Sequence, residues 1–317
     1  MKKLIVFLVT FAFYNSVFSQ QDPQYTQYMY NQNVVNPAYA TNSIGVINLG
    51  AMHRSQWASA IGAPKTYTFF VHTPISKKIQ LGLSVITDNI GEGVLKENNI
   101  YADFAYVLQV GQNQKLSLGL KAGFTSFTTN FSDFKFPDDD PLSGILTNDT
   151  AFNNQNNILP NFGVGAFYFS NNYYIGLSAP NLLKTKQIEE KKGVSTLGAE
   201  EIHFFLTSGY VYKINTNFKL KPSFMTKVVK GAPIVLDASL NILFNNRFEL
   251  GTSYRIKDSF SGMFNIRATS NLKIGYAYDY TTSNLGNFNS GSHEIMVLLD
   301  FDTIGIKKGY DKSPRFF

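Results

Sequence analysis

The chain's only imidazoles are His53, His72, His203 and His293, and it has no cysteine. Metal sites need closely spaced His, Cys or carboxylate ligands, and none of the four histidines stands in such a spacing or in an HExxH-type pattern. Without a thiol there is no cysteine nucleophile, disulfide or thiolate-ligated metal. Serine and asparagine are abundant, so a Ser-His-Asn hydrolase can be drawn in many ways and none stands out. The carboxylates of Pro137-Asp138-Asp139-Asp140-Pro141 could hold calcium with backbone carbonyls. A solvated acidic loop explains them more simply. No catalytic, cofactor-binding or metal-binding residue is therefore assigned, and no enzyme activity or cofactor is expected.

A different set of charged residues recurs with regular spacing. Across Arg247 to Lys257, Phe248, Leu250, Tyr254 and Ile256 fall on one face, while Arg247, Glu249, Ser253, Arg255 and Lys257 fall on the other. Leu272, Ile274, Tyr276, Tyr278 and Tyr280 likewise oppose Lys273 and Asp279. A period of two belongs to a strand with one apolar and one polar face. The rhythm runs from about Ile44 to Phe301, with strands predicted at about 44–52, 65–74, 78–88, 97–110, 114–128, 158–170, 172–179, 200–213, 217–229, 233–244, 246–257, 260–269, 271–282 and 291–302. A soluble sandwich turns its apolar faces inward, whereas a membrane barrel turns them to lipid and keeps a polar lumen. Long strands with full charges on the polar face favour the second. The expected fold is all-β: a transmembrane outer-membrane β-barrel of about 14 antiparallel strands. Arg247, Glu249, Arg255, Lys257, Lys273 and Asp279 are the candidate lumen-lining residues.

The connections support that fold. Those after even strands are short, as at Ile75-Ser76-Lys77, Gly111-Gln112-Asn113 and Asn215-Thr216. Those after odd strands include every long one, at about 53–64, 89–96, 129–157, 180–199 and 283–290. Short periplasmic turns and longer outer loops have this parity, although the odd connections near Gly231 and Ser259 are short as well. The 28 Phe and 18 Tyr suit interfacial girdles.

The ends divide the chain further. Met1-Lys2-Lys3, the apolar run Leu4 to Tyr14, and Val17-Phe18-Ser19 read as a signal peptide, 1–19, cleaved before Gln20. Removing Lys2 and Lys3 leaves 26 basic against 22 acidic residues, a mild excess that argues against a nucleic-acid surface. Residues 20–43 are too aromatic for a disordered leader. They are expected to pack either in the lumen or on a periplasmic partner. The barrel takes 44–302, and 303–317 form a tail. Asn153 to Asn157 and Lys184 to Glu201 read as flexible or solvated outer loops. His53-Arg54-Ser55-Gln56-Trp57, just after the first strand, holds the only Trp. It serves either as a partner contact, since Trp and Arg are favoured anchors, or as a loop folded into the barrel mouth with Arg54 on a lumen carboxylate.

Several segments, in this order, resemble the PorP/SprF family of outer-membrane proteins of the type IX secretion system. They are Gln24-Tyr25-Thr26-Gln27-Tyr28-Met29-Tyr30-Asn31, Asn36-Pro37-Ala38-Tyr39, His53-Arg54-Ser55-Gln56-Trp57 with Ala63-Pro64-Lys65-Thr66, and Tyr174-Ile175-Gly176-Leu177-Ser178-Ala179-Pro180-Asn181-Leu182. Lys221-Pro222-Ser223, Gly275-Tyr276-Ala277-Tyr278-Asp279-Tyr280-Thr281-Thr282 and Ser292-His293-Glu294-Ile295 continue the series. One variation is Tyr39-Ala40-Thr41, where many members carry small residues and glycine. The resemblance implies an outer-membrane protein of gliding or surface-secreting bacteria. Such a protein helps export a large surface adhesin or holds its C-terminal domain, and connects to periplasmic secretion and gliding components. It supplies no catalytic residues. Tyr28, Asn36, Pro37, His53, Arg54 and Trp57 are the candidate partner-contact or structural residues.

Three functions compete. A non-enzymatic secretion or anchoring component, embedded in outer-membrane lipid, accounts for the N-terminal motif, which a plain porin does not need. A channel for small hydrophilic or lipid-like solutes would use the same charged lumen. An outer-membrane hydrolase ranks last.

Overall fold

The computed structural model describes residues 23–130, 154–183 and 201–302. The signal-peptide expectation, the acidic cluster at 137–141, most of the charged loop at 184–201 and the tail at 303–317 lie outside these residues. The described residues form fourteen antiparallel strands: β1 (Val46–Ser55), β2 (Lys65–Pro74), β3 (Ile79–Ile90), β4 (Leu95–Gln109), β5 (Lys115–Thr129), β6 (Gln155–Phe169), β7 (Tyr173–Ala179), β8 (His203–Tyr210, extended by Tyr212–Lys213), β9 (Phe218–Val229), β10 (Val235–Phe244), β11 (Phe248–Arg255), β12 (Ser259–Arg267), β13 (Leu272–Thr281) and β14 (Ser292–Asp302). Each pairs with its sequence neighbours, and β14 returns to β1 with Val46 opposite Asp302 and Ser55 opposite His293. Closure leaves no free edge, the only way a sheet satisfies its backbone in lipid. Among the described residues no helix is long and apolar enough to cross a membrane.

Burial follows the period of two around the wall. In β11, Glu249, Ser253 and Arg255 are buried inside while Phe248, Leu250 and Tyr254 are exposed outside. β5 turns Leu118, Leu120 and Phe124 outward and Ser117, Lys121 and Thr125 inward. A greasy exterior around a charged interior is that of a membrane barrel. Aromatic side chains gather near both ends of the outer wall: Tyr67, Tyr254, Phe260 and Tyr280 at one, Tyr210, Tyr212, Phe218, Phe244 and Phe248 at the other.

Connections after even strands span only 75–78, 110–114, 170–172, 214–217, 245–247 and 268–271, and define a turn end. The opposite, loop end carries the longer ones. By the usual asymmetry the turn end is periplasmic. The expected loop at 89–96 is instead strand on both sides of a tight turn. Gly91, Glu92 and Gly93 take positive φ there, and the two glycines do so without Cβ strain. Gln155, Asn156 and Asn157, expected as flexible loop, are strand residues paired with Thr129, Thr128 and Phe127. β1 also runs three residues further than expected, so His53, Arg54 and Ser55 lie within the wall. Arg54 is tolerated there because it falls on an inward position.

Candidate functional site

The lumen is occupied by the chain's own N-terminal segment. Residues 23–43 hold a 3-10 turn (Tyr28–Tyr30) and one helical turn, α1 (Gln32–Val35), and nearly every side chain from Tyr25 to Thr41 is buried. The segment enters near the loop end, descends past Tyr30, crosses the barrel and leaves at the turn end into β1. Its sequence has no strand or long-helix period. Its backbone polar groups are satisfied partly by its own short turns, as in Tyr30 N to Gln27 O and Asn36 N to Gln32 O, and partly by wall side chains, as burial demands.

The first anchor is a carboxylate–guanidinium cluster at the loop end. Arg54 Nη2 lies 2.7 Å from Asp279 Oδ2, and Nη1 lies 3.2 Å from Glu294 Oε2; these side chains are 4%, 3% and 0% exposed. The same Nη1 donates to Thr26 Oγ1 (2.9 Å), and the Thr26 hydroxyl donates to Asp279 (2.7 Å). Glu294 accepts the amides of Thr26 (2.9 Å) and Gln27 (2.8 Å). Three wall strands thus grip two consecutive residues of the segment. β1 and β14 are the pair that closes the barrel, and Arg54 and Glu294 stand opposite each other across that seam.

The second anchor lies nearer the turn end. The Tyr30 hydroxyl donates to Glu249 Oε1, whose other oxygen receives Lys221 Nζ at 2.8 Å and Lys273 Nζ at 3.2 Å. Lys273 Nζ also sits 3.7 Å from the centroid of the Tyr30 ring, within cation–π range. Asn241 Nδ2 completes the shell around Glu249 at 2.7 Å. Tyr28, deeper in the lumen, donates to Ser223 Oγ (3.2 Å) and accepts from Ser239 Oγ (3.3 Å).

The third anchor is a glycine bed. Asn36 Nδ2 donates to the Ala166 carbonyl (3.1 Å), and its Oδ1 accepts the Ala38 amide (2.9 Å), folding Asn36-Pro37-Ala38 into a compact turn. That turn presses on Gly119 of β5, Gly165 of β6 and Gly176 of β7. A Cβ at Gly119 would stand 2.3 Å from Ala38 N, and one at Gly165 2.1 Å from Asn36 Oδ1. Gly119 and Gly165 are register partners. Beyond the turn, Gln80 exchanges hydrogen bonds with the backbone of Thr41 at 3.1 and 2.9 Å. His72 Nε2 contacts the Tyr39 carbonyl at 3.1 Å.

Of the expected lumen residues, Glu249, Arg255, Lys273 and Asp279 are buried inside. Arg255 pairs with Asp237, its register partner, at 2.8 Å. Arg247 and Lys257 are a correction. Both belong to turns and are exposed; Arg247 covers the Phe248 ring at 5.5 Å, and Lys257 takes φ +62°. The period of two ends at the last ladder residue, so extending it into the turn put both on the wrong side. His53 faces outward and stacks on Tyr67 at 4.5 Å between centroids. Trp57 lies in the β1–β2 loop, donating its amide to Ser292 Oγ (3.1 Å). Sequence reasoning missed the ion pair Asp103–Lys121 (3.2 Å) and the glycine bed. Their signal is a charge or a glycine at the inward phase of adjacent strands.

Between the segment and the loop end a small cup of about 60 Å³ remains, lined by Tyr25, Val34, Val35, Tyr101, Phe205 and Met225 among others. No group of three or more His, Asp or Glu able to hold a metal ion occurs among the described residues.

The family model described as "Type IX secretion system membrane protein PorP/SprF" matches residues 17–299. No curated protein matches the chain. Similar solved structures include the Acinetobacter baumannii outer membrane protein Omp33 (9% identity, TM-score 0.45, covering 82% of this chain and 100% of that one). Others are the Pseudomonas putida toluene transporter TodX (10%, 0.46, 92% and 97%) and a Pseudomonas aeruginosa FadL homologue (11%, 0.44, 81% and 89%).

Proposed function

The chain belongs to the PorP/SprF family of type IX secretion system membrane proteins, and from that membership and the filled lumen we propose that it is a non-enzymatic scaffold of the machinery in the outer membrane. In this reading it assists export or surface anchoring of a large adhesin through that adhesin's C-terminal domain, and links to periplasmic secretion components. It reaches the membrane behind a leader cleaved near Ser19. One observation carries the reading: residues 23–43 are bound into the lumen by three separate anchors on nine strands. A conduit keeps its lumen clear, whereas a scaffold gains rigidity from filling it. Activity then belongs to the two ends of the barrel. The cup at the loop end offers cargo a concave surface mixing aliphatic, aromatic and polar groups, and the short turns offer a periplasmic partner a compact face.

The test is affinity capture of the tagged protein from gently solubilised outer membranes, with mass spectrometry of what accompanies it. Recovery of a large surface adhesin or of periplasmic secretion components supports the scaffold. Recovery of the folded barrel alone, together with large steady conductance steps in a planar bilayer, moves the assignment to a channel for small solutes.

A further inference from the structure

The outer wall contains almost no charge, and where charge occurs it is of one sign. No outward position of the described strands carries Asp, Glu or Arg. The basic residues at outward positions are Lys65, Lys96, His53 and His293. Three of these, Lys65, His53 and His293, lie on the adjoining strands β2, β1 and β14, near the loop end. The ladder sets them in two neighbouring rows: Lys65–Ser55–His293–Tyr278 at the rim and Tyr67–His53–Ile295–Tyr276 beneath it. The row below is Phe69–Ala51–Val297–Ile274 and is wholly apolar.

The polar atoms in these rows are held in place. The Tyr276 hydroxyl meets His293 Nδ1 at 2.7 Å, and the Tyr278 ring lies 5.2 Å from the His293 ring. Tyr67 stacks on His53 at an interplanar angle of 24°. His53 Nδ1 is enclosed without a hydrogen-bond partner, so the ring's exchange with its surroundings runs through Nε2. Beneath His53, Ala51 is a small side chain between Phe69 and Val297, which leaves a notch in the apolar wall.

We propose that this patch binds the phosphate headgroup of an anionic outer-leaflet lipid, with one acyl chain lying along the Ala51 notch. The patch offers one ammonium, Lys65, and the Nε2 atoms of two imidazoles whose Nδ1 atoms are already enclosed or engaged, with no carboxylate on the outer face near them. The Tyr276 and Tyr278 hydroxyls are taken up by His293 Nδ1 and the Ser290 carbonyl (3.0 Å), so they fix the His293 ring and leave its Nε2 and the Lys65 ammonium to meet phosphate oxygens. The level is that of the interface, where the apolar band of the wall gives way to the rim. The surface next to the patch is apolar and faces hydrocarbon, so the lipid bilayer itself supplies the occupant.

The experiment uses the full barrel refolded in detergent. Native mass spectrometry would count retained bis-phosphorylated lipid A against its phosphate-free analogue. The wild type should retain the phosphorylated lipid at least about tenfold better, the size of one hydrogen bond to a charged group. His53→Ala combined with His293→Ala should erase that preference. Ala51→Leu fills the notch and should lower retention while leaving both imidazoles in place. Each variant should keep the wild type's heat-modifiable folded band, because none of these side chains faces the lumen. Equal retention of the two lipids by the wild type would overturn the site. So would a correctly folded double-histidine variant with its preference intact.

Discussion

Arg54→Ala tests whether the carboxylate cluster holds the N-terminal segment in place. Deleting the guanidinium leaves Asp279 and Glu294 buried without their cation, at sites now paired at 2.7 and 3.2 Å. Breaking a buried ion pair by removing one partner costs about 3–5 kcal/mol. Two features place the loss at the lower end. Glu294 retains the amides of Thr26 and Gln27, and Asp279 retains the Thr26 hydroxyl. A loss of about 3 kcal/mol is roughly a hundredfold in the folded ratio. In urea, followed by the heat-modifiable gel band, the midpoint should fall by about 1 M or more. The absence of native cysteine gives a second readout: a single cysteine placed at buried Asn31 should be protected from an impermeant maleimide in the wild type and labelled in Arg54→Ala. Neutralising both carboxylates as well, with Asp279→Asn and Glu294→Gln, should recover most of the stability, since the penalty arises from unpaired buried charge. A stability loss under about 0.5 kcal/mol for Arg54→Ala, or a triple variant no better than the single one, would refute the reasoning.

Three further changes follow from the same geometry. Gly119→Ala drives a methyl group into the backbone of Pro37 and Ala38, at 2.3–2.4 Å, and should cost about 1–3 kcal/mol or more by urea titration. Gly262→Ala, on the outer wall with nothing within 4 Å, is the matched neutral control. Tyr30→Phe removes a hydroxyl shared by Glu249 and Lys221 and should cost about 1–3 kcal/mol, read by the same titration and by the Asn31 cysteine probe. Arg247→Ala and Lys257→Ala should each stay within about 0.5 kcal/mol of wild type. Lys257→Gly should be neutral or stabilising, because φ +62° suits glycine.

How much of this was legible beforehand follows from how each part is specified. The wall is written locally: a period of two, repeated with turn residues between, needs no tertiary knowledge. The strands, their closure into a barrel and the short-turn parity could therefore be read from the chain. The burial of 23–43 was half legible. Its aromatic content excluded a solvated leader, but no local pattern distinguishes a lumen from a partner's groove, because both supply a polar and aromatic wall. The residues that decide it lie elsewhere in the chain. Glu294 is 268 residues from Thr26, whose amide it receives, and Glu249 is 219 from Tyr30. Such pairings become visible only once closure has brought the strands round.

The glycine bed shows the same limit from the other side. Gly119 alternates with Leu118 and Leu120, and Gly165 with Val164 and Ala166, so each keeps strand phase while contributing nothing to the apolar count. A glycine inside a strand weakens it or marks close approach of another backbone, and the alternation alone does not say which. Two inward glycines facing each other across adjacent strands, with a third on the next, form a flat bed only a few residues wide. A turn as narrow as Asn36-Pro37-Ala38 fits it, and every larger side chain at Gly119 or Gly165 would exclude that turn. Arg54 and Glu294 face each other across the seam where the first and last strands meet, while Thr26 lies against both. The first anchor of the segment and the closing seam of the barrel thus share the same two side chains, so a change at either one perturbs both.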